Sequence, residues 1–440
     1  MSEKAYAPRP LRTAVGDHVG GGTPPRQVPS YWKGDIPWAS VKDFPEQAGV
    51  ITDTQEHISV AGLNTSASNL IPAGTPLVCT RMAVGRATMP SVAMAINQDV
   101  KALFPAAGVS AAYLLKLLQF VQPKAEAQAV GSTVKGIRIQ DYLNIDVPIA
   151  ETNAQPVIAA VLDTLDAAIH ETEGIMAKLK AVKQGLLHDL LTRGVDANGE
   201  LRLPQAESPH LYKHSPLEWI PKEWDVSGLA GVAPKDRSVI RTGPFGSSLK
   251  GEHWRESGRP VVTIGSLGES EFFTSELLYV DEVTAARLGE FELIPGDVVF
   301  SRVADVGRSV VVSENERGWI MSSNFMRISC DSAKARPQFL QLLLSSSVLV
   351  RRQLRTTVNS AGRDVANSAV LMGLSFPWPS PREQDEILRR VQAINQRLAQ
   401  EAAELKKLLD AKVGLMDDLL TGHVRVTPLL AGAGREMECV

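Results

Sequence analysis

The chain has 440 residues, of which 44% are hydrophobic and 22% are charged. These values predict a globular chain of roughly two to four domains and argue against a disordered, collagen-like or disulfide-scaffold protein. The 46 basic and 49 acidic residues give a net charge of -3. A protein that coats nucleic acid regardless of sequence needs excess positive charge, so that class is disfavoured, whereas a locally basic site is compatible with this charge.

The cysteines and the N-terminus indicate the compartment. The chain has three cysteines, Cys79, Cys330 and Cys439, and no CxxC pair. This pattern favours neither a disulfide framework nor a Cys-based zinc site, and it fits a reducing compartment. No signal peptide is recognisable, and no apolar run approaches the roughly 18 residues that cross a bilayer. We therefore expect a cytoplasmic protein with no membrane partner.

Residues 1–151 form the first predicted domain. Short β-branched runs punctuated by glycine and proline, such as IPAGTPLVCTR at 71–81, predict strands, and YLLKLLQ at 113–119 predicts a short helix. We interpret Trp32 and Trp38 as core residues rather than as stacking residues. The pattern predicts a mixed α+β domain rich in strands.

Residues 152–195 form the first predicted helical spacer. The spacing of its apolar residues is typical of a coiled-coil seam. The seam residues are Leu162, Leu165, Ile169, Met176, Leu179 and Leu186. Thr152 and Gln155 have the spacing of a capping box, and Gly194 predicts the end of the helix. About 37 residues at ~1.5 Å each give a rod of roughly 55 Å.

A linker and lead-in at 196–223 precedes the second predicted domain at 224–379. This domain repeats the skeleton of the first. IPGDVVFSR at 294–302 resembles the string at 71–81, and Val-Gly-Arg at 306–308 matches Val-Gly-Arg at 84–86. FLQLLLS at 339–345 matches the first short helix. We align Arg302 with Arg81, each at the end of an equivalent strand.

Residues 380–425 form the second helical spacer, and a flexible tail is predicted at 426–440. The second spacer aligns with the first without a gap, in a constant register that places Gln384 on Gln155. Its seam residues are Val391, Ile394, Leu398, Leu405, Leu408 and Leu415. Ser380 with Glu383 repeats the capping-box spacing, and Gly422 predicts the helix end. A single long period indicates a duplicated domain pair with internal pseudo-two-fold symmetry.

The two helices either pack on separate cores or pair with each other. The narrow apolar stripe favours pairing. The intervening lead-in and second domain, 196–379, have to leave one helix and return to the other, so we expect an antiparallel pair. Lys183 and Lys412 place polar residues at equivalent points of the seam.

No catalytic constellation is recognisable in the sequence. A P-loop, a dinucleotide-binding glycine motif, HExxH, GxSxG and a zinc-spaced His/Cys set are absent. The Asn/Asp-Pro-Pro-aromatic tetrapeptide of amino-methyltransferases is absent as well. We therefore expect a chain that catalyses nothing by itself and binds no metal.

The pattern as a whole resembles the specificity (S) subunit of type I restriction-modification systems, over residues 11–425. The motifs are the two gapless helices, GGTPP (21–25) with YWKGDIPWASVKD (31–43), and WIPKEWDV (219–226) with TGPFGSSLKG (242–251). A proline with a glutamine at a fixed spacing precedes each helix, as Pro148 with Gln155 and Pro377 with Gln384. The first half lacks a clear WIPxxW lead-in.

The resemblance implies a fold and a set of partners. Two strand-rich target-recognition domains would alternate with two helices that form an antiparallel coiled-coil spacer. Each domain would bind half of a bipartite duplex DNA target, and the spacer would fix the distance between the halves. Two methyltransferase (M) subunits would bring S-adenosylmethionine, and restriction (R) motor-nuclease subunits would bring ATP and magnesium. The chain itself would be a non-catalytic subunit without a cofactor.

Candidate DNA contacts are polar and basic side chains on loops and strand ends. They are Ser40, Lys42, Arg81, Arg86, Lys135, Arg138, Ser247, Ser248, Lys250, Arg302, Arg308 and Arg363. Two interpretations of Arg81 and Arg302 stay open. In one interpretation they contact guanine or phosphate. In the other they brace their domains with ion pairs, and this interpretation is favoured by their recurrence in both copies, because base-reading residues should differ.

Two other functions stay open at this point. One is a coiled-coil adaptor whose domains bind proteins; retention of duplex DNA by the assembled complex against competitor DNA would argue against it. The other is a specificity chain of another methylation or nuclease system, such as a type IIB-like assembly. The neighbouring genes would separate that function from the type I one.

Overall fold

The structure is a computed structural model, which describes residues 5–46, 49–246, 248–360 and 365–426. The chain divides into two compact units, Met1–Ala177 with Gln400–Val440, and Lys178–Ala399. This division passes through both long helices, so each unit contains one end of each. The sequence-based bounds instead treat each long helix as a separate segment, 152–195 and 380–425, and these bounds stay predictions. The predicted tail lies, apart from Val426, outside the described residues.

The first unit combines short strands with helices. Its described strands are β1 (Pro8–Pro10), β2 (Val15–Gly20), β3 (Ile36–Ala39), β4 (Val50–Ile51), β5 (His57–Ile58), β6 (Leu70–Ile71), β7 (Leu77–Cys79), β8 (Ala87–Pro90), β9 (Met94–Ile96), β10 (Val100–Pro105) and β11 (Asp146–Pro148). Its described helices are α1 (Val60–Asn64), α2 (Ala111–Gln128), α3 (Ile139–Leu143) and the first part of α4 (Gln155–Thr192).

Two sheets and one strand pair organise the first unit. The larger sheet has the order β2-β10-β7-β8-β4, the smaller one has the order β5-β3-β9-β6, and β1 pairs with β11. Alternation places Val78 on the face that packs under α2, where Leu114 and Leu117 are fully buried. Trp38 is buried, and its ring meets that of Trp32 edge to face with centroids 5.0 Å apart. Both tryptophans therefore belong to the packed interior, as predicted.

The second unit has the same kinds of elements. Its described strands are β12 (Tyr212–Ser215), β13 (Glu218–Pro221), β14 (Asp225–Ser227), β15 (Ile240–Thr242), β16 (Trp254–Arg255), β17 (Arg259–Val262), β18 (Leu278–Val280), β19 (Val298–Ser301), β20 (Ser309–Val311), β21 (Ile320–Met321), β22 (Phe325–Ile328) and β23 (Phe376–Trp378). Its described helices are α5 (Glu282–Arg287), α6 (Pro337–Ser346), α7 (Val348–Ser360), α8 (Ser368–Met372) and the first part of α9 (Pro381–Thr421).

One sheet and one strand pair of the second unit repeat the larger sheet and the strand pair of the first, apart from the edge strand β4. The order β15-β22-β19-β20 matches β2-β10-β7-β8, and β14 pairs with β23 as β1 pairs with β11. A parallel pair, β3 with β9 and β17 with β21, occurs in each unit. The predicted strand-rich α+β architecture and internal repeat are therefore confirmed. A short helix was predicted in both copies. In the first copy the helix is longer than predicted, since α2 has 18 residues. In the second copy Ser347 interrupts the helix, which divides it into α6 and α7.

The long helices α4 and α9 have 38 and 41 residues. Both end shortly before the predicted glycines, Gly194 with φ 62° and Gly422 with φ 78°. A left-handed residue after a helix lets the chain turn away, and glycine adopts this conformation without the steric cost of a Cβ atom. The predicted helix lengths and ends are confirmed.

The two helices run antiparallel within each unit. In the first, Ile158 and Leu162 near the start of α4 share a core with Met416 and Leu420 near the end of α9. In the second unit, the end of α4 shares a core with the start of α9. Every predicted seam residue is buried or half-buried, which fits the coiled-coil spacing. The predicted antiparallel pair is confirmed.

The capping box predicted at Ser380 forms by half, and the one predicted at Thr152 does not match the start of its helix. Ser380 accepts a hydrogen bond from Glu383 N at 3.3 Å, but the Glu383 carboxylate points to other partners instead of returning to Ser380 N. Helix α4 begins at Gln155 itself, well after the predicted cap Thr152. The Gln155 and Glu383 side chains therefore hydrogen-bond to residues distant in the sequence instead of capping the helix starts as the local pattern predicted.

Buried glutamines join each long helix to the strand-rich domain of its own unit. The Gln384 amide donates to Lys334 O at 3.0 Å and Pro379 O at 2.9 Å, and it accepts from Arg336 N at 2.8 Å. The Gln155 amide occupies the equivalent position. It donates to Ala150 O at 3.1 Å and accepts from Ser110 N at 3.3 Å. The proline-to-glutamine spacing in the sequence therefore marks an anchor that ties a domain helix to the strand end before the spacer.

Replacing Gln384 with leucine is expected to lower the free energy of unfolding of the second unit by about 3 kcal/mol, because buried backbone groups lose their partners. Gln155→Leu is expected to have a smaller effect in the first unit, since fewer groups lose a partner. Denaturant unfolding of the full chain, followed by hydrogen exchange in each unit, measures both. Gln392→Leu on the exposed face of α9 is the matched control. Equal losses for Gln384→Leu and Gln392→Leu would contradict the anchor.

Candidate nucleic-acid interface

Strand β7 is followed by a tight loop at residues 80–86, named loop A. Cys79 N donates to Arg86 O at 2.9 Å and Gly85 N donates to Cys79 O at 2.8 Å, which closes the loop. Met82 at its tip has φ 66° and is 62% exposed. A non-glycine residue in this conformation costs of order 1–3 kcal/mol, and such residues cluster at functional sites.

A second segment, residues 130–138, pairs with loop A through its backbone. Ile137 N donates to Thr80 O at 2.9 Å, and Met82 N donates to Lys135 O at 2.9 Å. These backbone bonds fix loop A to the segment and leave the side chains of Arg81 and Met82 exposed to solvent. The fold therefore brings together two stretches that the whole of β8, β9, β10 and α2 separates in the sequence.

Three predicted contact residues meet at this place. Arg81 is 54% exposed, and its Nη1 atom lies 3.3 Å from Asp99 Oδ1. Lys135 and Arg138 are exposed on the paired segment. The ion pair joins the half-exposed Arg81 to Asp99, whose side chain is 12% exposed, and the guanidinium has further donors beyond this contact. This arrangement offers positive charge and hydrogen-bond donors to a polyanion.

Strand β19 is followed by the equivalent loop at residues 302–308, named loop B. Ser301 N donates to Arg308 O at 2.8 Å, and Gly307 N donates to Ser301 O at 3.3 Å. Ala304 at the tip has φ 60°, again left-handed. Ala366 N donates to Arg302 O at 2.9 Å, as Ile137 N does in loop A. The half-buried Arg302 donates from Nε to Ala366 O at 3.2 Å, so the bracing contact of Arg302 is a backbone hydrogen bond.

The closing hydrogen bonds align the two loops in one constant register, in which Ser301 before loop B is equivalent to Cys79 before loop A. Arg302 therefore matches Thr80, and Arg81 matches Val303. The predicted equivalence of Arg81 and Arg302 is wrong by a single position, because the sequence alignment was anchored on an arginine that follows each strand. The predicted match of Val-Gly-Arg at 84–86 and 306–308 is confirmed.

Arg86 and Arg308 occupy the same position at the end of each loop. Both are half-buried, and the Nε atom of each is buried without a hydrogen-bond partner in the described part of the chain. Arg308 donates from Nη2 to Ile264 O at 3.4 Å, and its Nε lies 3.9 Å from Asp305 Oδ2. A buried Nε atom without a hydrogen-bond partner among the described residues therefore recurs at the same place in both loops.

The described cysteines lack reactive character. Burial raises the pKa of Cys79 to about 12, against the opposing charge of Arg86. Burial also raises the pKa of Cys330 to about 12. Both thiols stay protonated near neutral pH, and the thiolate is the form that attacks substrates and binds metals. Cys439 lies outside the described residues.

Ser40 and Lys42 lie at a short helical turn after β3. Ser40 Oγ donates to Asp43 Oδ2 at 2.9 Å and accepts from Lys42 N at 3.3 Å. The Ser40 hydroxyl therefore already caps the turn Val41–Asp43. The Lys42 side chain is exposed. Both residues stay predicted contacts, with Lys42 the more available of the two.

The glycine-bounded loop of the second unit contains Ser248 and Lys250. Ser248 N donates to Phe245 O at 2.8 Å, which closes a turn. Lys250 is 55% exposed, and its Nζ lies 4.0 Å from Glu252. The predicted contacts Ser247 and Arg363 lie outside the described residues. All four stay predictions.

Sequence reasoning missed several exposed residues at these loops. Met82, Ala304 and Asp305 project from the tips of loops A and B, and a positive φ without glycine leaves no signal in the sequence. Phe245 is 85% exposed. An aromatic residue between Pro244 and Gly246 is the signal that would have found it.

Metal binding and membrane insertion have little support among the described residues. Asp417, Asp418 and His423 bring ligand atoms within 4.8 Å of one another on an exposed stretch. Acidic surface groups of this kind occur commonly without an ion. Within the described ranges, no helix is both long enough and apolar enough to span a membrane.

The duplicated strand-rich units and the antiparallel helices define a class of protein with two similar domains on a shared helical spacer. Residues 15–181 match the family model described as "Type I restriction modification DNA specificity domain". The MjaVIII specificity subunit of Methanocaldococcus jannaschii is 23% identical over 321 residues, which cover 72% of this chain and 71% of that protein. The EcoBI specificity subunit of Escherichia coli is 23% identical over 60% of this chain, and the match spans about half of that protein, 54%.

Solved structures share the fold over nearly the whole chain. The crystal structure of the type I S subunit from M. genitalium has a TM-score of 0.57 at 15% identity, with 96% of this chain and 97% of that chain covered. A chain from a study of complex assembly and conformational transition of the type I R-M system also has a TM-score of 0.57, at 14% identity, with 96% and 100% covered. The predicted resemblance is confirmed. Residues 15–181 of the chain are thus similar to the type I restriction-modification DNA specificity domain, and the whole chain shares the fold of solved S subunits.

Proposed function

We propose that this chain is the DNA specificity subunit of a type I restriction-modification complex, and that each unit binds one half of a bipartite duplex target. The observation that carries the proposal is the internal duplication. One sheet in each unit shares a four-strand order, and both units have the same strand-end loop and the same glutamine anchor, whereas the exposed residues of the loops differ. A shared scaffold with different contact residues suits two half-sites of different sequence.

The distribution of charge supports this function. The chain as a whole is slightly acidic, but Arg81, Lys135 and Arg138 gather at loop A. Phosphate contacts position a protein on duplex DNA, and base contacts in the major groove give the sequence preference. A few local cations are enough when partner subunits supply further contacts to the backbone.

The proposal assigns all chemistry to partners. Two M subunits would dock on the α4–α9 pair and bind S-adenosylmethionine, and R subunits would bind ATP and magnesium. S-adenosylmethionine supplies the methyl group that is transferred to adenine N6. The residues of this chain bind duplex DNA and orient it, and they hold no reacting group.

The test is chain-dependent methylation. In a host without adenine methylation, the M subunit encoded beside this chain is expressed with and without it, and the methylome is sequenced. We expect methylated adenine in one bipartite motif when both are present, and no methyl transfer by the purified chain alone. Methylation that is independent of the chain, or methyl transfer by the chain alone, would overturn the proposal.

The same material separates the remaining alternatives. A protein-binding adaptor would not retain duplex DNA in its assembled complex against excess competitor DNA. A type IIB-like assembly would cleave on both sides of its site. The proposed type I complex retains duplex DNA specifically and lacks that cleavage pattern.

A further inference from the structure

We propose that loops A and B are the specificity-determining loops of the two units, and that the exposed residues of their tips, Arg81 and Met82 in loop A and Ala304 and Asp305 in loop B, contact bases. The proposal rests on the proposed function and adds the positions at which the two half-sites are distinguished. Arg86 and Arg308, which close the loops at the same place, contact phosphate in both units.

The first argument is a shared backbone with different side chains. Loops A and B have the same closing hydrogen bonds and the same left-handed tip. They share Val-Gly-Arg in their second halves, but the tip is Arg-Met-Ala at 81–83 and Val-Ala-Asp at 303–305. Identity is therefore confined to the part that holds the loop, and the difference lies in the part that faces solvent.

The second argument is the conformation of the tip. Met82 and Ala304 have φ 66° and 60°, and neither is glycine. A loop whose only task is to turn would use glycine there, since glycine carries no steric cost at positive φ. A costly conformation retained at the same place in both units indicates that the tip is held in shape for contact with a ligand.

The third argument is the chemistry of the side chains. Arg81 offers paired donors of the kind that bind guanine O6 and N7, and Met82 offers an apolar contact for the thymine methyl group. Asp305 offers acceptors for the amino group of cytosine. Loop A therefore presents a cation at its tip and loop B presents an anion, so the two loops prefer different bases.

The register of the closing hydrogen bonds resolves the question left open for the arginines. Arg81 and Arg302 do not recur at one position, so recurrence gives no reason to assign both to bracing. Arg302 lies at the base of loop B, where it bonds Ala366 O. Arg81 lies at the tip of loop A, where its side chain is 54% exposed and pairs with the largely buried Asp99. Arg81 is therefore the base contact and Arg302 the support.

The experiment exchanges the tips in the full chain, expressed with its M subunit. The variant R81V/M82A/A83D gives loop A the tip of loop B, and V303R/A304M/D305A makes the reciprocal change. We expect each variant to methylate a target that is altered in one half only. The matched control is K124E, which makes the same change in net charge as the loop A variant, at an exposed position of α2, and should leave the target unchanged.

Single substitutions keep the test decisive if an exchanged loop impairs folding. Arg81→Val alone should relax one position of one half-site, with a loss of about 5- to 150-fold in discrimination. Arg86→Ala should weaken binding to all sequences alike and lower the salt dependence by about one phosphate contact. If R81V and both exchanged chains methylate the wild-type motif, the loops do not determine specificity, although the proposed function stands. If the wild-type chain directs no methylation, the proposed function itself fails.

Discussion

Replacing Glu383 with alanine is expected to lower the free energy of unfolding of the second unit by about 3–5 kcal/mol. The Glu383 carboxylate is 9% exposed and accepts from Arg202 Nη1 at 2.6 Å and Arg202 Nη2 at 3.2 Å. Arg202 is itself 7% exposed in its side chain. Removal of the carboxylate leaves a buried guanidinium without its main counter-charge.

Other buried donors depend on the same carboxylate. Val195 N donates to Glu383 Oε1 at 2.9 Å, and Trp224 Nε1 donates to the same oxygen at 3.0 Å. Within the second unit, Glu383 therefore joins the start of α9 to the end of α4 and to the lead-in before β14. The substitution breaks all of these contacts at once, which places the expected loss at the upper end for a single side chain.

Denaturant unfolding of the full chain, with hydrogen exchange to locate the loss, measures this effect. Glu383→Gln keeps the shape and one acceptor oxygen, so its loss should be smaller than that of alanine. Glu386→Gln on the same helix is the control, since its partners Arg389 and Arg390 are more exposed and exposed ion pairs contribute little to stability. A loss at Glu383 no larger than at Glu386 would show that the buried cluster contributes little.

The control also has a defined pH dependence. Arg389 and Arg390 lower the pKa of Glu386 to about 2, from an ordinary value of 4.5. The stabilisation from Glu386 is therefore present above pH 4.5 and is lost as the pH falls toward 2. The difference between wild type and Glu386→Gln should shrink over that range.

Periodicity and the terminal glycines predicted the helices and their C-terminal ends, but the side-chain caps at the helix starts were not predicted correctly. The seam residues and the terminal glycines follow local rules, because a coiled-coil stripe and a left-handed cap each appear in a few consecutive letters. Gln155 and Glu383 also fit a local rule, the capping box. Their partners lie far away in the sequence, as Val195 does from Glu383, and buried donors at such separations leave no mark in the local pattern.

The positions of loops A and B could be predicted from the sequence, but their register could not. An arginine after each strand drew the alignment of Arg81 with Arg302, whereas backbone hydrogen bonds align Arg81 with Val303. The positive φ at the loop tips falls on Met82 and Ala304, and residues other than glycine give no sign of it in the sequence. The partner segment of loop A, residues 130–138, joins that loop only in the folded chain.

A buried charge cluster in the first unit was also missed. Lys116 lies among apolar residues in α2, and its side chain is 2% exposed. Its Nζ atom lies 2.6 Å from Asp163 Oδ1 and 2.6 Å from Asp166 Oδ2 on α4, and Lys412 Nζ on α9 lies 2.7 Å from Asp166 Oδ1. The cluster ties the recognition domain of the first unit to both long helices. It thereby fixes the orientation in which that domain sits on its own ends of the spacer.

Replacing Lys116 with methionine is expected to lower the free energy of unfolding of the first unit by about 3 kcal/mol, because Asp166 loses one of its two cations in a buried setting. The expected loss lies at the low end for a buried pair, since Lys412 stays in place and Asp163 is 55% exposed to water. Hydrogen exchange of α2 and denaturant unfolding of the full chain measure it.

A double-mutant cycle isolates the contact from the change in packing. Asp166→Asn alone leaves Lys116 buried with only Asp163, and the double variant with Lys116→Met removes both charges of the contact. We expect the two single losses to exceed the double loss by about 0.5–3 kcal/mol, as for residues in one ionic network. Lys124→Met, on the exposed face of the same helix, should change stability by no more than about 0.5 kcal/mol. Additive losses for Lys116 and Asp166 would mean that the lysine contributes through its methylene stem alone, and that the first recognition domain is held on the helices by apolar packing rather than by charge.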